Sequence, residues 1–99
     1  MAPYNPPFGY YYSQVDALPY DKDVIFRMIG KGGKGFYDIT HYLKINYLWY
    51  NTEKNIIELW GQSAVPFRDG ASEKMKFLLD AYQEIKNSTL GLSEKHERD

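Results

Sequence analysis

The sequence predicts a single α+β domain, and three observations support this prediction. The chain has 99 residues, of which 43 % are hydrophobic, enough to bury one modest core. Two segments with apolar residues at helical spacing flank a glycine-rich loop at residues 30–35. Two β-prone segments and a longer amphipathic segment follow. The predicted order is therefore strand, helix, helix, strand, strand, helix.

The N-terminal residues 1–12 are punctuated by proline and glycine, which predicts an extended arm. We expect this arm to pack its aromatic side chains on the domain, to be disordered, or to act as a docking segment of polyproline type. Residues 13–19 form a strand candidate, because Val15 and Ala17 alternate with polar neighbours. Pro19 ends this strand and favours an edge position.

Two short helices are predicted next. Asp21 can cap the first, over residues 22–29, and the apolar residues of that helix share one face: Val24, Ile25, Met28 and Ile29. Phe26 and Arg27 point away from this face. The second helix covers residues 33–43, and its apolar positions recur at helical spacing: Phe36, Ile39 and Leu43. Gly35 weakens the first turn of this helix by about 1 kcal/mol relative to alanine.

The C-terminal half predicts a β-hairpin and a closing helix. Residues 45–50 and 55–60 are β-prone and are separated by a turn at 51–54, and Gly61 ends the second strand. A loop at 61–69 contains Pro66. The helix at 70–87 carries an apolar stripe at helical spacing: Ala71, Met75, Leu78, Leu79, Tyr82 and Ile85. Residues 88–99 are polar, and we expect this tail to be frayed.

Composition excludes several classes of function. The chain has no cysteine, which rules out disulfides, zinc knuckles and thiol catalysis. It has no apolar run of about 18 residues and no secretory signal, so we expect an intracellular protein without a membrane span. His41 and His96 lie in different segments, and no catalytic or metal-binding set emerges. The sequence therefore predicts a protein that is not an enzyme and has no cofactor or metal. Its net charge of −1 also argues against a uniformly basic surface.

The glycine-rich string at residues 30–35 is open to three readings. It formally matches the dinucleotide pattern G-x-G-x-x-G, but that pattern follows a strand, whereas here it follows a predicted helix. A Walker loop needs serine or threonine after Lys34, where this chain has Gly35. The third reading is a G-x-x-G loop between two helices. Such a loop lets a nucleic-acid backbone approach closely and leads into a helix N-terminus that favours phosphate. A tight turn with solvated lysines is the structural alternative.

At residues 15–85 the chain resembles a KH domain of type I. Residues 27–34 carry the signature Arg-Met-Ile-Gly-Lys-Gly-Gly-Lys. Apolar positions follow at Phe36 and Ile39 in the second helix and at Ile57 and Leu59, ahead of Gly61, in the third strand. The resemblance implies a three-stranded antiparallel sheet with three helices packed on one face. The KH domain would occupy residues 13–87, between the arm at 1–12 and the tail at 88–99.

The chain departs from the family pattern in four places. Gly35 stands where threonine or serine is more frequent, and Leu43-Lys44 replaces a Thr-Gly pair. The turn at 51–54 is short. The strand residues Tyr47, Trp49 and Tyr50 are bulkier than usual. These departures bear on base preference more than on the fold.

The resemblance also implies a groove for about four nucleotides of single-stranded RNA or, second to it, single-stranded DNA. The residues implied on the backbone side are Arg27, Ile29, Gly30, Lys31, Gly32, Gly33 and Lys34. Those implied on the base side are Phe36, Tyr37, Tyr47 and Trp49. For three of them the sequence favours a place in the core over a contact: Ile29, Phe36 and Tyr47.

A different class of function stays open beside this one. The near-neutral charge and the ten tyrosines are also typical of a KH-like interaction or structural module. Such a module would use the aromatic arm and Trp60, on the outer sheet face, for protein contacts or self-association.

Overall fold

Over the residues that the structure describes, the fold is α+β, with a three-stranded antiparallel sheet and four helices. The computed structural model describes the backbone of residues 8–98 and the side chains of residues 8–88. The predicted arrangement of residues 1–7 therefore lies outside the described residues. The elements are β1 (Tyr11–Asp16), α1 (Lys22–Ile29), α2 (Lys34–Leu43), β2 (Tyr47–Asn51), β3 (Ile56–Gly61), α3 (Val65–Arg68) and α4 (Ala71–Arg98). A single 3₁₀ turn at Lys31–Gly33 joins α1 to α2.

The strand order in the sheet is β1-β3-β2, which places β1 at an edge, as Pro19 suggested. The strand begins earlier than predicted, because Tyr11 and Tyr12 pair with Gly61 and Trp60 of β3. The strand therefore includes the last two residues of the segment predicted as an arm. β1 also ends earlier, at Asp16, whose side chain accepts a hydrogen bond from the backbone N–H of Leu18 (2.9 Å) and turns the chain away.

Alternation along the strands gives the sheet an inner and an outer face. The buried inner residues are Val15, Leu48, Tyr50, Ile57 and Leu59. The helices add Ile25 and Met28 from α1, Phe36 and Leu43 from α2, and Ala71, Met75 and Leu79 from α4. The predicted helical faces thus supply the core as far as Leu79. Tyr82 and Ile85 are exposed, because the second half of α4 extends beyond the core.

Two helical features differ from the prediction. The expected loop at 61–69 contains α3, where Pro66 lies in the first turn and its missing N–H costs no helical hydrogen bond. The last helix does not end at residue 87, as predicted, but continues to Arg98. Residues 88–98 contain several good helix formers, and Gly91 alone, at about 1 kcal/mol, is too weak to stop the helix.

Lys86 ties α4 to the start of α1. Its Nζ lies 2.8 Å from Oδ2 of Asp21 and 2.8 Å from Oδ1 of Asp23. Asp21 occupies the N-cap position, but its side chain makes no capping hydrogen bond, contrary to the prediction; it binds Lys86 and Gln83 instead. The ammonium group of Lys86 holds the pKa of both carboxyl groups below the usual range.

Candidate nucleic-acid interface

The loop between α1 and α2 is a sharp turn that requires glycine. After Ile29, Gly30 adopts φ 74° and donates its N–H to the carbonyl of Phe26 (3.1 Å). Gly32 and Gly33 have φ 65° and 82°, and the N–H of Gly33 donates to the carbonyl of Gly30 (3.1 Å). A side chain at positive φ is strained, whereas glycine adopts it freely. The glycine pattern therefore serves the backbone geometry of the turn.

The glycines of this loop differ in what surrounds them. A Cβ added to Gly35 would lie 2.0 Å from the carbonyl oxygen of Met28, and one added to Gly30 would lie 2.9 Å from the nitrogen of Gly35. These two glycines let α1 and α2 approach closely. A Cβ on Gly32 would meet nothing within 4 Å. The exposed tip of the loop is therefore open to a ligand.

Three cations surround the loop. Arg27 lies in the last turn of α1, Lys31 in the loop and Lys34 at the start of α2, and all three are exposed. Among residues 8–88, the ion pairs are those of Lys86, so none of these three cations forms an ion pair with a carboxylate there. They are available to bind an external anion.

Two adjoining cavities open beside the loop, between α2 and β2. They share four lining residues: Gly32, Gly33, Phe36 and Leu48. The smaller cavity, of about 370 Å³, adds Lys34, Tyr37, Thr40, Asn46 and Tyr47. The larger, of about 610 Å³, adds Phe26, Ile29, Gly30, Trp49, Tyr50 and Thr52. Because the two cavities share these four residues, we refer to them together as the cleft.

The structure brings the eleven sequence-predicted site residues to this region. Nine of them line at least one of the two cavities; the exceptions are Arg27, in the last turn of α1, and Lys31, in the loop. Phe36 is only 3 % exposed and belongs to the core as well as to the cleft. Tyr37 is 63 % exposed and makes an edge-to-face contact with His41 at 4.6 Å. Tyr47 and Trp49 are half-buried on the outer side of β2.

Sequence reasoning missed several lining residues, and Phe26 is the most informative of them. It was expected only to point away from the apolar face of α1. It is 53 % exposed, lines the larger cavity and contacts Tyr50 edge-on, with ring centroids 5.6 Å apart. Its position one helical turn before Gly30 was the sequence signal that could have identified Phe26 as a residue of the site. The others were Thr40, Asn46, Leu48, Tyr50 and Thr52, whose roles depend on how β2 packs against α2.

Comparison of the chain with protein-family models, curated proteins and solved structures found no match. The geometry of the cleft is thus the basis for assigning a function.

We also searched the part of the chain that the structure describes for a membrane-spanning helix and for a metal site. No helix there combines the length and apolar character that a bilayer span requires. Nor do three or more histidine or carboxylate side chains gather into a possible metal site within that region.

The outer face of the sheet carries a second group of aromatic residues: Tyr12, Tyr47 and Trp60, which we term the outer aromatic cluster. The ring of Trp60 lies 5.2 Å from that of Tyr12 and 6.1 Å from that of Tyr47. The Tyr12 hydroxyl donates to Oε1 of Glu58 (2.7 Å). Burial, and then this carboxylate, raise the pKa of Tyr12 to about 12. Trp60 therefore lies on the outer face, as predicted.

Proposed function

We propose that this chain is a KH module of type I that binds single-stranded RNA, with single-stranded DNA as the second candidate ligand. The order of its three strands and three longer helices supports the proposal, with α3 as a short insertion and α4 extended beyond the core. In a KH arrangement α1, α2 and α4 would cover the inner face of the sheet, and each of the three contributes side chains to the core. The loop of Gly30–Gly33 takes the position of the family's G-x-x-G.

The observation that carries the proposal is the junction of a cationic glycine loop with an apolar cleft. Phosphates would lie at the tip of the loop, where Gly32 offers open space beside Lys31 and the N-terminal end of α2 adds its positive dipole. Bases would enter the two cavities, which are lined mainly by apolar and aromatic groups. Proteins that bind single strands combine these two features: cationic groups contact the phosphate backbone, and flat apolar side chains contact the bases.

The number of cations at the loop sets the expected dependence of binding on salt. Three phosphate contacts to a single strand give a slope of roughly −2 in log affinity against log salt. Affinity would then fall about twentyfold between roughly 50 and 200 mM salt. A slope near zero would mean that Arg27, Lys31 and Lys34 do not contact phosphate.

The double substitution K31D/G32D tests the assignment of the loop. It places two carboxylates where phosphate would lie. Positive φ at Gly32 strains a side chain, but the open space there and the tolerance of Asp for left-handed backbone keep this strain small, so we expect the fold to persist. We expect fluorescence anisotropy with short labelled RNA and DNA pools to show loss of binding. K74D/K76D is the matched control, because it changes at least as much charge at exposed positions of α4 away from the cleft. Unchanged affinity in K31D/G32D would refute the loop assignment.

The outer aromatic cluster favours a second candidate, an interaction module that binds protein or self-associates. Tyr12 is 46 % exposed beside Trp60, on a sheet face where the cluster includes residues of all three strands. Sedimentation of the full chain and of a chain lacking residues 1–10 tests whether the N-terminal arm takes part in such contacts, since this deletion preserves β1 and the cluster. A concentration-dependent dimer that the deletion dissociates would support it. A monomer in both cases, with equal nucleic-acid affinity, would argue against it.

A further inference from the structure

Phe26 is an exposed aromatic residue for which the fold alone gives no reason. Its neighbours on α1, Ile25 and Met28, are 0 % and 2 % exposed and form the core, whereas Phe26 is 53 % exposed. The residue nevertheless has a fixed environment. Its ring meets Tyr50 edge-on at an interplanar angle of 69°, and the Tyr50 hydroxyl in turn donates to Oδ1 of Asn55 (3.2 Å).

The larger cavity provides the setting for this ring. Phe26 and Trp49 line it together with Ile29 and Thr52, and none of its lining residues carries a charge. Arg27 follows Phe26 directly in α1, and the N–H of Gly30, one turn later, bonds back to the Phe26 carbonyl. A flat apolar surface thus lies within one helical turn of the cationic loop.

We infer that Phe26 is a stacking surface that receives a nucleobase in the larger cavity when the phosphates of the same strand lie on the loop. The inference rests on the proposed function. The three cations select an anionic chain, and the uncharged aromatic cavity beside them selects a flat, largely apolar group attached to that chain, as a nucleotide strand supplies. An acidic peptide would satisfy the loop but would offer no planar group to the cavity at regular spacing.

The test compares a base-bearing strand with a strand that lacks bases. The probes are a fluorescein-labelled random RNA pool of roughly eight nucleotides, twice the length expected for one groove, and an equally long chain of stable abasic ribose units. In Phe26→Leu, which keeps apolar volume but removes the ring, we expect affinity for the RNA pool to fall about fivefold or more. Affinity for the abasic chain should not change, because its phosphate contacts remain. Phe26→Trp should restore binding of the RNA pool.

Tyr42→Leu is the matched control, because Tyr42 is 61 % exposed on α2 and lines neither cavity. Thermal unfolding of each variant verifies that the fold is retained. Wild-type affinity of Phe26→Leu for the RNA pool would overturn the inference, as would an equal loss for the abasic chain. If K31D/G32D abolishes binding while Phe26→Leu binds normally, only the role of Phe26 fails. If K31D/G32D also binds normally, the proposed function itself fails.

Discussion

Replacing Gly35 by alanine tests how closely α1 and α2 approach. In an ordinary helix this change stabilises by about 1 kcal/mol, because alanine has the higher helix propensity. Here the added Cβ would lie 2.0 Å from the carbonyl oxygen of Met28, whereas ordinary contact begins at 3.4 Å, so the two helices must separate by about 1.4 Å. Both atoms are fixed to backbone, and no side-chain rotation can relieve the overlap.

Overpacking of this kind costs about 1–3 kcal/mol, and a backbone clash belongs at the upper end. After the gain in propensity, we expect Gly35→Ala to lose about 2 kcal/mol of unfolding free energy, equivalent to a fall of roughly 8–16 °C in Tm for a domain of this size. Urea and thermal unfolding followed by circular dichroism measure both quantities. Gly32→Ala provides the contrast, because its Cβ meets open space. The positive φ alone should lower its free energy of unfolding, by about 1 kcal/mol. A Gly35→Ala variant as stable as the wild type would refute the reasoning.

Three further predictions concern the core and the ionisable groups. Phe36→Ala should lose about 3–5 kcal/mol in urea unfolding, because this core ring is only 3 % exposed; a loss under 1 kcal/mol would contradict its burial. Burial and the hydrogen bond to Asp80 raise the pKa of Tyr20 to about 12, which favours the neutral phenol in the fold. Stability should therefore decline as pH rises from 10.0 towards 12, and less steeply in Tyr20→Phe; equal slopes would exclude this role. The pKa of Asp21 is lowered by Lys86, so its contribution is present above pH 3.8 and lost below it. Lys86→Met should reduce this acid sensitivity in unfolding scans, and an unchanged profile would count against the ion pair.

The sequence predicted the fold class and most of the core because apolar periodicity records which side of an element is buried. The prediction from sequence failed where strand pairing or tertiary context determines the secondary structure. Tyr11 and Tyr12 join β1 because β3 supplies partners for them, which local proline and glycine signals could not reveal. The helix of residues 65–68 begins around a proline that reads as a loop signal, and α4 passes Gly91 without a break.

The candidate site also contains one part that the sequence predicted and another part that depends on tertiary context. The glycine loop could be predicted from the sequence because Gly30 and Gly32 have positive φ, a backbone conformation that favours glycine. The residues that line the cleft were harder to predict from the sequence, since they depend on which side of β2 faces α2 and on the space left between these two elements. Phe26 was overlooked because helical periodicity marks it as a residue off the apolar face, and only the tertiary arrangement turns that exposure towards a cavity.

Tyr47 belongs both to the smaller cavity and to the outer aromatic cluster, where its ring lies 6.1 Å from that of Trp60. The chain has two tryptophans, and Trp49 lines the larger cavity. Each half of the cleft is therefore coupled to its own intrinsic fluorophore, directly through Trp49 and by way of Tyr47 for Trp60. With Trp49→Phe and Trp60→Phe, the emission of the remaining indole tests the proposed function, because a ligand that enters one half of the cleft should change the emission of the indole coupled to that half.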